Sequence, residues 1–346
     1  MKPLTLRSLL IRCGILAAVL FVSVFIALKL GAVPVSLYGL GRDLVRVALG
    51  YSSDLSTDYR LIVFDIRMPR ILLAIFVGAS LSVAGASFQA LLRNPLADPY
   101  VLGVSSGSAV GAILALIAAQ HMDLPPLAAG LLTPLGAFLG GMATIAAVYF
   151  LGRREGQIES GTLLLAGIIC VSFLSGIITF LLNTLSLRDR GGMSFWLLGE
   201  LGTPLPASLR WVLVIGFFAA AAAIYTTASD LNLLLSGEQE AMHLGVDIDR
   251  VRLVVYIGAS VLTGLAVSVS GAIGFVGLLV PHIMRVIFGP DHRILLPTAA
   301  LGGAIVLVLA DALARTVVAP TEIPVGAVTA IVGAPLFIYV LRRRTA

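Results

Sequence analysis

Apolar runs separated by short polar stretches fill almost the whole chain. They span Cys13–Leu28, Ile71–Leu92, Gly103–Ala119, Leu127–Leu151, Thr162–Leu185, Leu209–Ala228, Leu253–Ser270, Leu295–Arg315 and Pro324–Leu341. A helix that crosses a bilayer needs about 20 consecutive apolar residues. Each run therefore predicts a span, and a further short one is predicted within the stretch Gly271–Arg285. That stretch reads Gly271-Ala-Ile-Gly-Phe-Val-Gly-Leu-Leu-Val-Pro-His-Ile-Met-Arg285. Glycine costs a helix about 1 kcal/mol and proline about 3 kcal/mol. The glycines Gly271, Gly274 and Gly277 thus predict a break between helices, followed by a short helix carrying Pro281 and His282 towards Arg285. Broken backbone at membrane depth survives only where protein or a wet cavity satisfies it, and such segments line transport paths. The alternative is a tight turn between two packed helices.

The polar punctuation has its own pattern. Gly31–Arg60 reads as an external loop or interfacial helix. Arg67 and Arg70 stand ahead of the second span, on the side where basic residues are not expected. Arg93-Asn-Pro-Leu-Ala-Asp-Pro99 reads as a rigid, extended turn, because the residue before a proline avoids helix. Gly103, Gly107 and Gly111 share one helix face, and Gly136 and Gly140 repeat the spacing, which predicts close backbone approach. Ser186–Pro206 reads as an external segment turning at Arg188–Gly192. Between Ser229 and Arg252 two short helices are predicted. The first, Asp230–Leu235, is stopped by Gly237; the second is capped by Ser236 with Gln239 and ended by Gly245. Leu231, Leu234, Leu235 and Leu244 give this hairpin an apolar side, suited to docking a soluble partner.

Composition agrees with lipid as the solvent. Of the 346 residues 59% are hydrophobic and 12% charged, about half the charged share of a soluble domain. The whole chain, 1–346, reads as one all-α polytopic domain of about ten transmembrane helices, without a separate soluble domain. Basic clusters near both ends, Lys2 to Arg12 and Arg342 to Arg344, place both termini in the cytoplasm. No basic run interleaved with aromatics argues for nucleic acid. Cys13 and Cys170 lie in apolar runs without metal or disulfide spacing.

Several chemistries are missing from the sequence. Its two lysines, Lys2 and Lys29, follow no glycine-rich loop, so no P-loop for ATP is present. His121, His243, His282 and His292 show no metal-binding spacing. Among deep carboxylates Asp311 stands out, and Arg315 one turn later makes a local ion pair its expected role. A solute moved uphill by this chain would draw its energy from a partner at the hairpin. An ion-coupled carrier or a channel is the rival reading.

The motifs Arg67-Met-Pro-Arg70, Gly85-Ala-Ser-Phe-Gln89, Arg93–Pro99, Leu102-Gly-Val-Ser-Ser-Gly107, Leu163–Gly167, Gly271–His282, Asp291–Pro297 and Gly333–Phe337 together resemble the FecCD/BtuC-like permeases. These are the membrane subunits of type II ABC importers for iron–siderophore complexes, haem and cobalamin. The resemblance runs from about Arg67 to Arg344. It implies a bacterial inner-membrane location, two permease copies around a central path, two ATPase subunits below and a substrate-binding protein above. It implies no cofactor on this chain, ATP and magnesium belonging to the partner subunits. Carried over by position, Arg67, Arg70 and Arg315 would face glutamates of the binding protein. Asn94 and Leu96 would belong to an inner gate, and Ser160, Gly161 and Thr162 to a second, where Gly161 replaces the family's usual hydroxyl. The coupling helices, 229–246, would bring Leu235, Gly237, Glu238, Glu240, Ala241, Leu244 and Gly245 to the ATPase.

Overall fold

The computed structural model describes residues 5–31, 60–122, 125–154, 157–158, 160–203 and 205–345, with isolated positions between 32 and 59. Most of the expected Gly31–Arg60 loop lies outside the described residues. The chain forms helices α1 (Leu6–Lys29), α2 (Leu61–Leu91), α3 (Val104–Gln120), α4 (Pro126–Gly152), α5 (Ser160–Thr184), α6 (Leu187–Leu197), α7 (Ala207–Thr226), α8 (Ala228–Leu234), α9 (Glu238–His243), α10 (Ile248–Ser270), α11 (Val276–Phe288), α12 (His292–Ala314) and α13 (Val325–Thr345). A two-residue β-pairing, Arg153–Arg154 with Gln157–Ile158, closes the turn between α4 and α5. Seven of these helices are long and apolar enough to cross a membrane, and α3, α11 and α13 supply three shorter apolar ones. The fold is the all-helical, multi-span architecture that the apolar runs predict.

Helix α2 is the centre of the bundle. It packs against α10, α11 and α12, and 83% of its apolar window is buried, against 6% for α1 and 17% for α5. Small residues allow the backbones this close. A Cβ on Gly78 would lie 2.2 Å from the Gly303 carbonyl oxygen, and one on Gly85 would lie 1.8 Å from that of Gly277. The predicted glycine faces of α3 and α4 meet in the same manner: Gly111 abuts the Gly136 carbonyl and Gly140 abuts that of Gly107. Without a hydrophobic drive between helices in lipid, such close packing is what holds them together.

Four expectations need correction. Arg67 and Arg70 lie inside α2, which begins as a seven-residue π-helical turn, Leu61–Arg67. That turn's wider register, with Met68 N–H donating to the Val63 carbonyl, leads into Pro69 near the start of the α-helical part. Arg188–Gly192 is helical, not a turn, because Ser186 caps α6 by accepting from the Asp189 N–H at 3.2 Å. The break after α10 covers Gly271–Phe275 only. Gly277 already belongs to α11, where its carbonyl abuts Gly85. Finally, the cap of α9 is Gly237, not Ser236, and no side chain closes it.

Candidate functional site

Three polar clusters interrupt the apolar bundle: one at the end away from the α8–α9 hairpin, one at the break and one at the hairpin.

At the far end the C-terminus of α1 leaves backbone carbonyls without helical partners. Arg67 donates to the Leu28 and Val33 carbonyls and Arg315 to that of Ala27, at 3.2 Å. Guanidinium groups here also meet the negative end of the helix dipole. Arg70 Nε lies 2.8 Å from Asp311 Oδ1, its Nη1 2.6 Å from Glu322 Oε2, and Arg315 Nε lies 3.0 Å from Asp311 Oδ2. The expected Asp311–Arg315 pair is therefore present, and Arg70 joins it. All three arginines are less than 10% exposed in the single chain, whereas Glu322 is 54% exposed. The structure thus gathers the three predicted arginines into one cluster, but as buried, internally paired groups. Glu322 was not legible as their partner, since a carboxylate in a loop seven residues past Arg315 carries no spacing signal.

At the break, α10 ends on Gly271 at φ +64°, where a Cβ would lie 1.8 Å from the Trp196 carbonyl oxygen. Phe275 then takes φ +68° before α11 starts. Within α11, Pro281 provides no N–H for the Gly277 carbonyl, and that carbonyl is the one Gly85 abuts. His282 is buried. Gly274 has open space around it. The loop after α2 folds back to reach this level: Asp98 Oδ1 accepts from the Tyr100 N–H at 2.9 Å, and the Tyr100 hydroxyl accepts from the Ile273 N–H at 3.0 Å. Asp98 and Tyr100 are half-buried, and the hydrogen bond to Ile273 ties their turn to the break. They line a cavity of about 480 Å³ with Ser172 of α5 and Gly274 and Phe275 of the break.

None of the expected inner-gate residues lines that cavity among the described residues. Asn94 Oδ1 accepts from the Leu96 N–H at 2.9 Å, and Leu96 is exposed. Gly161 is exposed, and a Cβ there would meet no described atom within 4 Å; Thr162 is half-buried, while the Ser160 side chain lies outside the described residues. Contact between α5 and the loop comes further along, where a Cβ on Gly167 would lie 2.4 Å from the Val101 carbonyl oxygen.

At the hairpin the leucines divide. Leu231, Leu234 and Ala241 are buried, whereas Leu235, Met242 and Leu244 are at least half exposed. Glu240 and Gly245 are exposed with them. Gly245 ends α9 as expected: at φ +85° its N–H reaches the Met242 carbonyl and the Val246 N–H reaches that of Ala241. Asn232, missed in the sequence, ties the hairpin to the turn between α11 and α12. Its Nδ2 donates to Asp291 Oδ1 at 2.7 Å, and its Oδ1 accepts from the His292 N–H at 2.8 Å. Hydrogen bonds from Arg293 first, then from Asn232, hold the Asp291 carboxyl down at about 2. Glu238 Oε1 sits between Arg93, at 3.0 Å, and Arg252, at 2.5 Å.

Residues 19–343 match the FecCD transport family. The cobalamin import system permease protein BtuC of Halobacterium salinarum is 39% identical, over 99% of this chain and 90% of that protein. The hemin transport system permease protein HmuU of Yersinia pestis is 42% identical, over 81% of this chain and 83% of that protein. A solved inward-facing structure, described as a metal-chelate type ABC transporter, superposes with a TM-score of 0.81 at 29% identity, over 96% of this chain and 98% of that one. With its multi-span bundle and broken helix, this chain belongs to the FecCD transport family and is a permease subunit of the ABC importer class.

Proposed function

We propose that this chain carries a metal chelate (an iron–siderophore complex, haem or cobalamin) across the bacterial inner membrane by alternating access. Two copies enclose the path, the hairpin end faces the cytoplasm with both termini, and two ATPase subunits dock there. The observation that carries this reading is the outward apolar patch of Leu235, Met242 and Leu244 on a membrane chain whose sequence holds no P-loop of its own. The 480 Å³ cavity beside the break belongs to the path, with Asn94, Leu96, Gly161 and Thr162 on its cytoplasmic side. Relatives named for cobalamin and hemin support a chelate of that size and chemistry.

At the opposite end a substrate-binding protein docks through acidic residues. Because Arg67, Arg70 and Arg315 are already paired within the chain, an incoming carboxylate reaches Arg70 by replacing the exposed Glu322. The residues at both ends are structural supports as well as contact points in this reading.

The test is uptake of hemin, cyanocobalamin and a ferric hydroxamate into vesicles holding the permease, with and without its ATPase and binding protein. Accumulation of one of them only with ATP and all subunits is expected. Equal accumulation driven by an ion gradient, with no ATPase present, would reject the proposal.

A further inference from the structure

Arg93 occupies an unusual backbone position. It follows α2 with φ +48°, and its N–H reaches the Ala90 carbonyl at 3.2 Å while the Asn94 N–H reaches that of Gln89 at 3.2 Å. This is the left-handed closing turn that glycine ordinarily makes, as Gly245 does in the same molecule. A non-glycine residue in that conformation is strained, and strain of this kind points to a use for the side chain. The Arg93 side chain leaves the turn and meets Glu238 Oε1 at 3.0 Å, at the start of α9. Arg252, in the first turns of α10, holds the same oxygen. Glu238 thus turns towards the bundle, unlike Glu240 on the exposed side of the hairpin.

From Arg93 a continuous line leads inward. The chain passes to Asn94, whose side chain orders Leu96, then to Asp98, which caps Tyr100, whose hydroxyl holds the Ile273 N–H of the break. A line of contacts does not by itself establish coupling. Here it starts at a strained residue and joins the docking hairpin to the broken helix.

We infer that the Arg93–Glu238 pair is the latch through which hairpin movement reaches the gate loop and the break. The inference rests on the proposed ATPase-driven function. Both residues are positioning residues: neither touches ATP or chelate. Movement of the hairpin draws Glu238, Glu238 draws Arg93, and the short loop to Tyr100 transmits the shift. Arg252 keeps Glu238 oriented on α10 during that movement.

The experiment measures chelate accumulated per ATP hydrolysed by the full assembly in vesicles, using whichever of hemin, cyanocobalamin or ferric hydroxamate the unaltered assembly takes up. Arg93→Gly and Glu238→Gln should each lower that ratio about two- to fivefold, the range open to a partly exposed ion pair. The double variant should be no worse than the poorer single one, and Arg93→Lys should retain most of the ratio. Arg93→Gly removes the side chain while easing the backbone, so its thermal unfolding midpoint should hold or rise as coupling falls; a purely structural role would move the two together. An unchanged ratio in Arg93→Gly, or additive losses in the double variant, overturns the latch. Loss of ATPase co-purification in Glu238→Gln also overturns it, by assigning Glu238 to the docking surface. If the unaltered assembly accumulates none of the probes with ATP, the transport proposal fails first, and that result is distinct from uptake that ignores Arg93.

Discussion

Two buried guanidinium groups share Asp311, and that sharing sets the energetics of the end away from the hairpin. Asp311 is fully buried, and it holds Arg70 and Arg315 at 2.8 and 3.0 Å. Removing one partner of a buried pair strands the other charge and costs about 3–5 kcal/mol. Asp311→Asn should therefore sharply lower the unfolding midpoint in detergent and the yield of folded protein. Glu322 pairs with the same Arg70 but stands more than half exposed, so Glu322→Gln should cost at most about 1 kcal/mol. If the two variants melt together, the cluster is not held by Asp311. The sequence already pointed to Asp311 and Arg315 as a pair, because four residues on a helix bring side chains together. Arg70 as a third member was hidden, since 241 positions of chain separate it from Asp311 and nothing local predicts that α2 and α12 are neighbours. The burial of Arg67 and Arg315 was hidden likewise, since they reach α1 carbonyls 39 and 288 positions away, and the family resemblance implied only a docking role for them.

At the scale of elements, glycines decide which helices touch. The four-residue glycine spacing on α3 and α4 predicted close approach, and the backbones do meet there. Gly85 gave no comparable signal, because its counterpart Gly277 lies on a helix that begins after the break. A Cβ at Gly85 would overlap the Gly277 carbonyl, whereas one at Gly161 would meet nothing within 4 Å. Gly85→Ala should then force α2 and α11 apart and cost about 1–3 kcal/mol, the usual scale of overpacking. Gly161→Ala should leave the melting midpoint essentially unchanged or slightly raised, since alanine favours helix over glycine. Comparing the two midpoints checks the packing directly; equal behaviour would mean that α2 and α11 do not approach as described. Helix ends were less legible than helix middles. The Ser186 cap converted an expected turn into α6, and Asp247, accepting from the Arg250 N–H at 3.1 Å, starts α10 five residues before its apolar run. Caps are short polar signals, easily read as loop when the following turn is itself polar.

For the molecule as a whole, the apolar runs, the break and the two short helices of the hairpin were readable because each is a local pattern: span length, helix-breaking residues, amphipathic spacing. The long-range ties that join them were not, because Gln89 with Leu278, Tyr100 with Ile273 and Asn232 with Asp291 follow no periodicity. The hairpin shows where such ties alter a functional reading. Its four predicted leucines formed one apolar side in sequence; folding buries Leu231 and Leu234 and turns Leu235 and Leu244 outward beside Met242. The proposed ATPase docking would use the outward set. Burial of one such side chain at an interface is worth about 1.5–3 kcal/mol, and a carboxylate in its place must also be desolvated. Leu244→Glu should therefore weaken ATPase association at least about tenfold, read as the ATPase retained on the purified permease, while the permease alone melts as before. Leu231→Glu, on the same hairpin but 1% exposed, should instead lower the melting midpoint of the permease itself. Full ATPase retention by Leu244→Glu would move the docking surface elsewhere on the molecule, and with it the route by which hydrolysis reaches the path.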